Sequence, residues 1–271
     1  MKKTNNEVQI SGKNSVNTSK YTQKQNKYPD INIILSYLLS FIKSKYNLPF
    51  YLSIFMLLYM QTVKPMILGD GHEYFAMTIS SFNHLSFDLQ PADIAMRAAI
   101  EQGCGISFPS AQDYYGYVKA LNGNYYPIHF WAYSLVSLPF FVILHFFNIN
   151  ELLSLQITNA ALLLASFWVI TYCFDDKFQR LVMLAFSAVN PIVLYIGWTG
   201  AEVFSYSFVV MAISFAVAKK YNLAVLLSSI ASLQNPPIIT FTLYLIYLGL
   251  KDSMVNLYLI DIIYLKIVYL Y

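Results

Sequence analysis

Charge is scarce in this sequence. Only 11% of its 271 residues are Asp, Glu, Lys or Arg, against roughly 25% in a soluble domain, which excludes an ordinary water-soluble globular protein. Cysteine is nearly absent too. Cys104 lies in a polar loop and Cys173 at the end of a distant apolar block, so the sequence carries neither a disulfide framework nor a metal-spaced Cys/His set. It also lacks a glycine-rich phosphate loop and a serine elbow, which argues against soluble nucleotide-dependent chemistry and against a serine hydrolase. A cleavable signal peptide is missing as well, because about thirty polar residues precede the first apolar run. The first span is therefore expected to act as the insertion signal.

What is abundant is apolar and aromatic. Hydrophobic residues make up 57% and aromatics 17%, with a mean hydropathy of +0.50. They fall in blocks at 49–68, 129–147, 152–174, 181–197, 202–218, 221–235, 237–250 and from 254 to the end. Blocks near 20 residues suit helices that cross a ~30 Å hydrocarbon core. The expected fold class is an all-α polytopic membrane protein.

The distribution of charge predicts how such a chain would be arranged. Residues 1–48 carry eight lysines against Glu7 and Asp30, a net +6, so this tail is expected to stay cytoplasmic. Contact of the tail with anionic lipid or nucleic acid competes with a plainly solvated tail, and we assign it no chemistry. The run Ile31–Ile42 is too short to cross and reads as an interfacial helix, and the sequon at Asn17 falls in the same tail. After block 49–68, read as the first transmembrane helix, the segment 69–128 holds Asp70, Glu73, Asp88, Asp93, Glu101 and Asp113 against Arg97 and Lys119. It is expected to be extracytoplasmic.

The later connections hold Lys177, Arg180, Lys219, Lys220 and Lys251. All five fall inside only if block 129–147 does not cross, so this block, with Pro139 in its middle, is predicted to be a juxtamembrane or partly inserted helix. The competing arrangement is a kinked transmembrane helix. On this reading residues 69–151 form an extracytoplasmic loop with juxtamembrane helices, and 152–271 form a helix bundle that ends inside an apolar run, as a C-terminally truncated chain would. Gly197–Glu202 and Leu233–Pro237 then arrive at the same face as the acidic loop. One alternative joins 221–235 and 237–250 into a single helix kinked at Pro236 and Pro237.

Three clusters carry chemistry. Gly69-Asp70-Gly71-His72-Glu73-Tyr74 follows the first block directly, and a carboxylate there can accept the proton of an attacking hydroxyl. The competing role for Asp70 is a helix N-cap, with Glu73 in the first turn. His72-Glu73 also opens like a zinc-protease helix, but Ala76 stands where the second histidine is needed. The second cluster, Asn124-Tyr125-Tyr126-Pro127-Ile128-His129-Phe130-Trp131, suits either interface anchoring or a sugar face, with His129 as a phosphate ligand. Glu202 is the third, an ionisable group at an apolar boundary, which the helix dipole also explains. For a leaving phosphate the candidate cations are Arg97 first, then Lys119, His72, His84 and His129.

In this order the motifs resemble the GT-C superfamily of membrane glycosyltransferases, in the branch of dolichyl-phosphate-mannose protein mannosyltransferases and aminoarabinose transferases. Tyr126-Pro127-Ile128-His129 stands where relatives carry a Tyr-Pro-Pro or His-Pro-Pro-Leu element, and the resemblance spans roughly residues 49–250. It implies a GT-C-like helix bundle and a base at Asp70 with Glu73 as alternate. The implied substrate-binding residues are His72, Tyr74, Arg97, Tyr125, Tyr126, His129, Trp131 and Glu202. The implied donor is a polyprenyl-phosphate sugar, and the acceptor a hydroxyl on a glycan, lipid or protein, with membrane lipids around the chain and no nucleic acid partner. No cofactor is specified, a divalent cation staying open. Gln234-Asn235-Pro236 departs from the family, where many relatives place Arg or Lys before the proline. The expected location is a bacterial inner membrane. The rival functions are a transporter or flippase for a lipid-linked or small polar substrate, and an inactive truncated scaffold.

Overall fold

The computed structural model describes residues 36, 40, 44–106, 114 and 116–268, with side chains described as far as 253. The Asn17 sequon and Asp113 lie outside these residues, as does Ile31–Ile42 apart from Ser36 and Ser40. The chain divides into Met1–Ile42 and Lys43–Tyr271, and the elements below belong to the second unit. They are almost all helical: α1 (Asn47–Thr62), α2 (Gly71–His84), α3 (Pro91–Gly103), a hairpin of β1 (Tyr117–Lys119) and β2 (Tyr125–Pro127), then α4 (Ala132–Phe146), α5 (Leu153–Cys173), α6 (Lys177–Ala188), α7 (Glu202–Val217), α8 (Tyr221–Gln234) and α9 (Ile239–Val268). Short 3₁₀ turns at Pro191–Gly197 and Pro236–Ile238 precede α7 and α9.

The helices α1 and α5 to α9 form a bundle whose strand-like directions can be read from paired contacts. Tyr46 before α1 stacks on Trp168, and Gln156 donates to the Val63 carbonyl (2.8 Å), so α1 and α5 are antiparallel. Asn159 donates to the Trp198 carbonyl at one end while Tyr172 meets Phe215 and Lys220 at the other, so α5 and α7 are parallel. Thr242 bonds Ser228, and Gly249 abuts Tyr221, which sets α9 antiparallel to α8. Asn235–Pro237 is thus a reversal, and the single kinked helix across Pro236 and Pro237 is excluded. The double proline removes two backbone donors there, which stops α8.

Block 129–147 does not run the length of this bundle. Two antiparallel neighbours would set Tyr133 opposite the middle of α5, yet the Tyr133 hydroxyl donates to the Leu155 carbonyl (3.2 Å). Helix α4 therefore crosses the first turns of α5. It packs beside α2 through Tyr74 on Tyr133, Phe75 on Phe141 and Phe82 on His145. With α3 and the hairpin these two helices make a cap over one end of the bundle. Its seam of fully buried Phe75, Met77, Ile79, Tyr133 and Phe141 contributes about 1.5–3 kcal/mol per large side chain.

Two expectations about spans need correction. The first apolar block is not one helix of twenty residues: α1 stops at Thr62 and the chain is extended from Val63. Pro65 disfavours helical backbone at Lys64, and the freed Val63 carbonyl is taken by Gln156. Second, two blocks read as spans yield short helices. Helices α7 and α8 have 16 and 14 residues, or about 21–24 Å, less than a ~30 Å core. Among the described residues only α5, with 21 residues, is long and apolar enough to cross a membrane, and α6 with its 3₁₀ continuation passes as a pair bent by 47°.

Candidate active site

The site begins with a backbone pairing. The extended stretch after α1 lies beside the one before α7: Met66 N–H donates to the Gly197 carbonyl (2.7 Å) and Thr199 N–H to the Met66 carbonyl (3.2 Å). Two glycines permit this approach, since a Cβ on Gly197 would collide with Val63 and one on Gly71 with Thr199. Asp70 and Glu202, distant by 132 positions, are thereby brought to one cleft. It has a volume of about 490 Å³ and is lined by Asp70, Tyr74, Trp198, Glu202, Gln234 and Asn235, among others.

Asp70 occupies the N-cap position of α2 but makes no capping bond with its side chain. Its carboxylate, 44% exposed, instead lies 3.3 Å from His129 Nε2. The other ring nitrogen, Nδ1, is 2.6 Å from Glu73 Oε2, and the His129 backbone N–H donates to Glu73 Oε1 at 2.6 Å. Three residues thus form a chain from an open carboxylate, through imidazole, to a carboxyl with 0% exposure. Burial pushes the Glu73 carboxyl above its ordinary value, against the opposing pull of its bonds to His129. Gly116, at φ +78°, covers Glu73 so closely that any Cβ would strike the carboxylate.

The far wall is held by one amide. Gln234 Oε1 accepts from the Tyr133 backbone N–H (2.8 Å) and Gln234 Nε2 donates to the Tyr74 hydroxyl (3.2 Å). Desolvation raises the Tyr74 phenol, so it stays protonated. Sequence reasoning noticed Gln234 only as a missing positive charge; here it ties α8 to both cap helices. Its signal was a polar residue directly before a helix-ending double proline.

Several expected ligands face elsewhere. His72 Nδ1 pairs with Glu101 (3.1 Å) on α3, because two positions along a helix turn a side chain about 200° away from Asp70. Arg97 is 1% exposed, within 3.7 Å of Glu101, and does not line the cleft. Its assignment as the phosphate ligand is overturned, since a buried guanidinium is out of reach of a substrate there. Tyr125 stacks on Tyr114 (3.9 Å between centroids), Tyr126 accepts a bond from Asn122, and Trp131 stacks on Phe87. These rings stabilise the hairpin and its seat on the cap, and none lines the cleft. Lys119 lies against Tyr125 and His84 pairs with Asp93. Lys64, which the sequence reading passed over, is exposed on the extended segment that leads to the cleft.

Among the described residues no group of three His, Cys, Asp or Glu side chains is placed to hold a metal ion. The chemistry available at the cleft is proton acceptance at Asp70, hydrogen bonding by Tyr74, Gln234 and Asn235, and a second carboxylate at Glu202. No protein-family model, curated protein or solved structure matches this chain.

Proposed function

We propose that the chain is a membrane glycosyltransferase of the GT-C type that moves a sugar from a polyprenyl-phosphate donor to a hydroxyl acceptor on the extracytoplasmic face. The observation that carries this reading is the open carboxylate of Asp70, facing Glu202 across a cleft and backed by His129 and buried Glu73. Asp70 takes the hydroxyl proton as the acceptor oxygen bonds to the anomeric carbon. The bond from that carbon to the phosphate oxygen breaks, its electron pair leaves with the lipid phosphate, and configuration inverts. His129 positions Asp70 by holding one of its oxygens, while Glu202, Gln234 and Asn235 offer partners for sugar hydroxyls.

The membrane setting has its own support. Lys45, Lys177, Arg180, Lys219, Lys220 and Lys251 gather at one end of the bundle, and the acids of the cap at the other, in the pattern that sorts connections across a bilayer. Between the ends, Leu58 on α1, Leu181 and Phe186 on α6, and Leu243 and Tyr247 on α9 are exposed. Apolar exposure on that many helices exceeds what a soluble monomer leaves to water. An α5 of 21 residues spans about 31 Å, a bilayer core.

The test is transfer in proteoliposomes from a panel of polyprenyl-phosphate hexoses, pentoses and amino sugars. Asp70→Asn is expected to reduce transfer by about 10²–10⁴-fold with its unfolding midpoint unchanged, and undiminished transfer removes Asp70 from the reaction. A second reading, passage of a small polar solute, is favoured by a cleft lining that holds neither Lys nor Arg among the described residues. Solute uptake by the same proteoliposomes without sugar transfer would establish it instead.

A further inference from the structure

A second groove lies at the opposite end of the bundle from Asp70, between the α7–α8 turn and α9. It measures about 720 Å³, and its lining includes Lys219, Lys220, Leu223, Leu245, Ile246 and Leu250. The turn is sharp: Lys219 takes a left-handed backbone conformation at φ +57°. Lys219 Nζ stays largely exposed, 3.6 Å from Asp252. Lys220 Nζ donates to the Tyr172 hydroxyl (2.6 Å) and lies 4.1 Å from the centre of that ring. The lining thus carries two lysines against the one carboxylate of Asp252, a net positive charge.

Polarity changes along the groove. Helix α9 runs toward this end, so Asp252 and Ser253 are at the mouth, while Leu245 and Ile246 sit about 10 Å further in. Gly249 is the point where α9 touches Tyr221, and any side chain there would press on Tyr221. Exposed Leu226, Leu243 and Tyr247 continue the apolar surface beyond the groove. A free phosphate fits this pattern poorly. The space, about 720 Å³, is far more than one ion fills, and an ion at the lysines would leave the leucine walls wetted.

We propose that this groove binds an anionic phospholipid, with its phosphate between Lys219 and Lys220 and the first part of an acyl chain against Leu223, Leu245, Ile246 and Leu250. The inference shares only the membrane setting with the sugar-transfer reading and uses none of its residues. Charge complementarity selects an anionic headgroup over a zwitterionic one, and the apolar depth selects an amphiphile over an inorganic ion.

The test is native mass spectrometry of the detergent-purified full chain, titrated with short-chain phosphatidylglycerol, phosphatidylcholine and inorganic phosphate. Phosphatidylglycerol is expected to be retained about tenfold better than phosphatidylcholine, and millimolar phosphate should not displace it. Lys219→Gln with Lys220→Gln should bring the two lipids to parity. Because Lys220 also braces Tyr172, Lys219→Gln alone and the groove-filling Leu250→Trp provide independent variants: the first should narrow the preference, the second should reduce retention of both lipids. Asp70→Asn should retain lipid as the unaltered chain does, so the two readings fail separately. Equal retention of both lipids by the unaltered chain, a preference that survives the double substitution, or displacement by phosphate alone each overturns the assignment.

Discussion

The two ends of the bundle handle charge in opposite ways. At the cleft end Glu73, Asp93 and Glu101 are buried and bonded to partners on other elements, and buried Arg97 lies 3.7 Å from Glu101 on its own helix. At the far end Lys45 meets Asp175, and Lys219 meets Asp252, in the open. Buried carboxyls require an enclosing layer, because an unpaired one costs several kcal/mol, and the cap of α2, α3, α4 and the hairpin is that layer. Exposed lysines require nothing from the fold beyond a turn. One end is thus specified by tertiary contacts, the other by composition.

The comparison is tested most sharply by sidedness. With Cys104 and Cys173 replaced by serine, single cysteines at Asn148 and Lys219 in right-side-out vesicles should give all-or-none labelling by an impermeant maleimide, complete at 148 and absent at 219. Equal labelling of both would mean the ends do not face opposite sides. Next in size is His129→Ala, which strips Glu73 of its side-chain partner and should lower unfolding stability by about 1–3 kcal/mol, measured by denaturant titration in detergent. A cost near zero would mean that the chain from Asp70 to Glu73 is not held as described.

The pH response of Glu73 is smaller. Its folded value is raised above the ordinary 4.5, so between those values the folded chain binds more protons than the unfolded one. Stability from this group is present below about 4.5 and declines as pH rises through the raised value. Glu73→Gln should flatten that decline in unfolding midpoints taken from pH 4 upward, and an unaltered slope would contradict it. The smallest effect is expected at the basic end. Lys45→Gln breaks an exposed pair whose contacts hold Lys45 above and Asp175 below their usual values, yet solvent screening should leave the midpoint within scatter. A large drop there would erase the contrast between the ends.

Much of this was legible because it follows from local pattern. Helicity comes from the apolar blocks, and the grouping of connections follows from where Lys and Arg were placed. The same grouping set Glu202 and Gln234 on the face of Asp70, where they line one cleft. What was not legible depends on neighbours distant in sequence. Nothing in Tyr125, Tyr126 or Trp131 signals that their rings stack on Tyr114, on Phe87 or over a hairpin turn rather than on a sugar. His129 was singled out as a phosphate ligand, but its role as a bridge needs both the position of Glu73 and the covering Gly116. Arg97 looked like the best free cation until α3 packed it inside the cap.

Residue types and their spacing are enough to specify a helical chain whose acids concentrate in 69–128 and whose later connections carry lysine and arginine, because apolar blocks and charges are local features of the chain. Which acids meet depends on contacts between distant segments. The pairing of Met66 with Gly197 and Thr199, far apart in sequence, places Asp70 opposite Glu202, and such backbone hydrogen bonds leave no mark in side-chain composition.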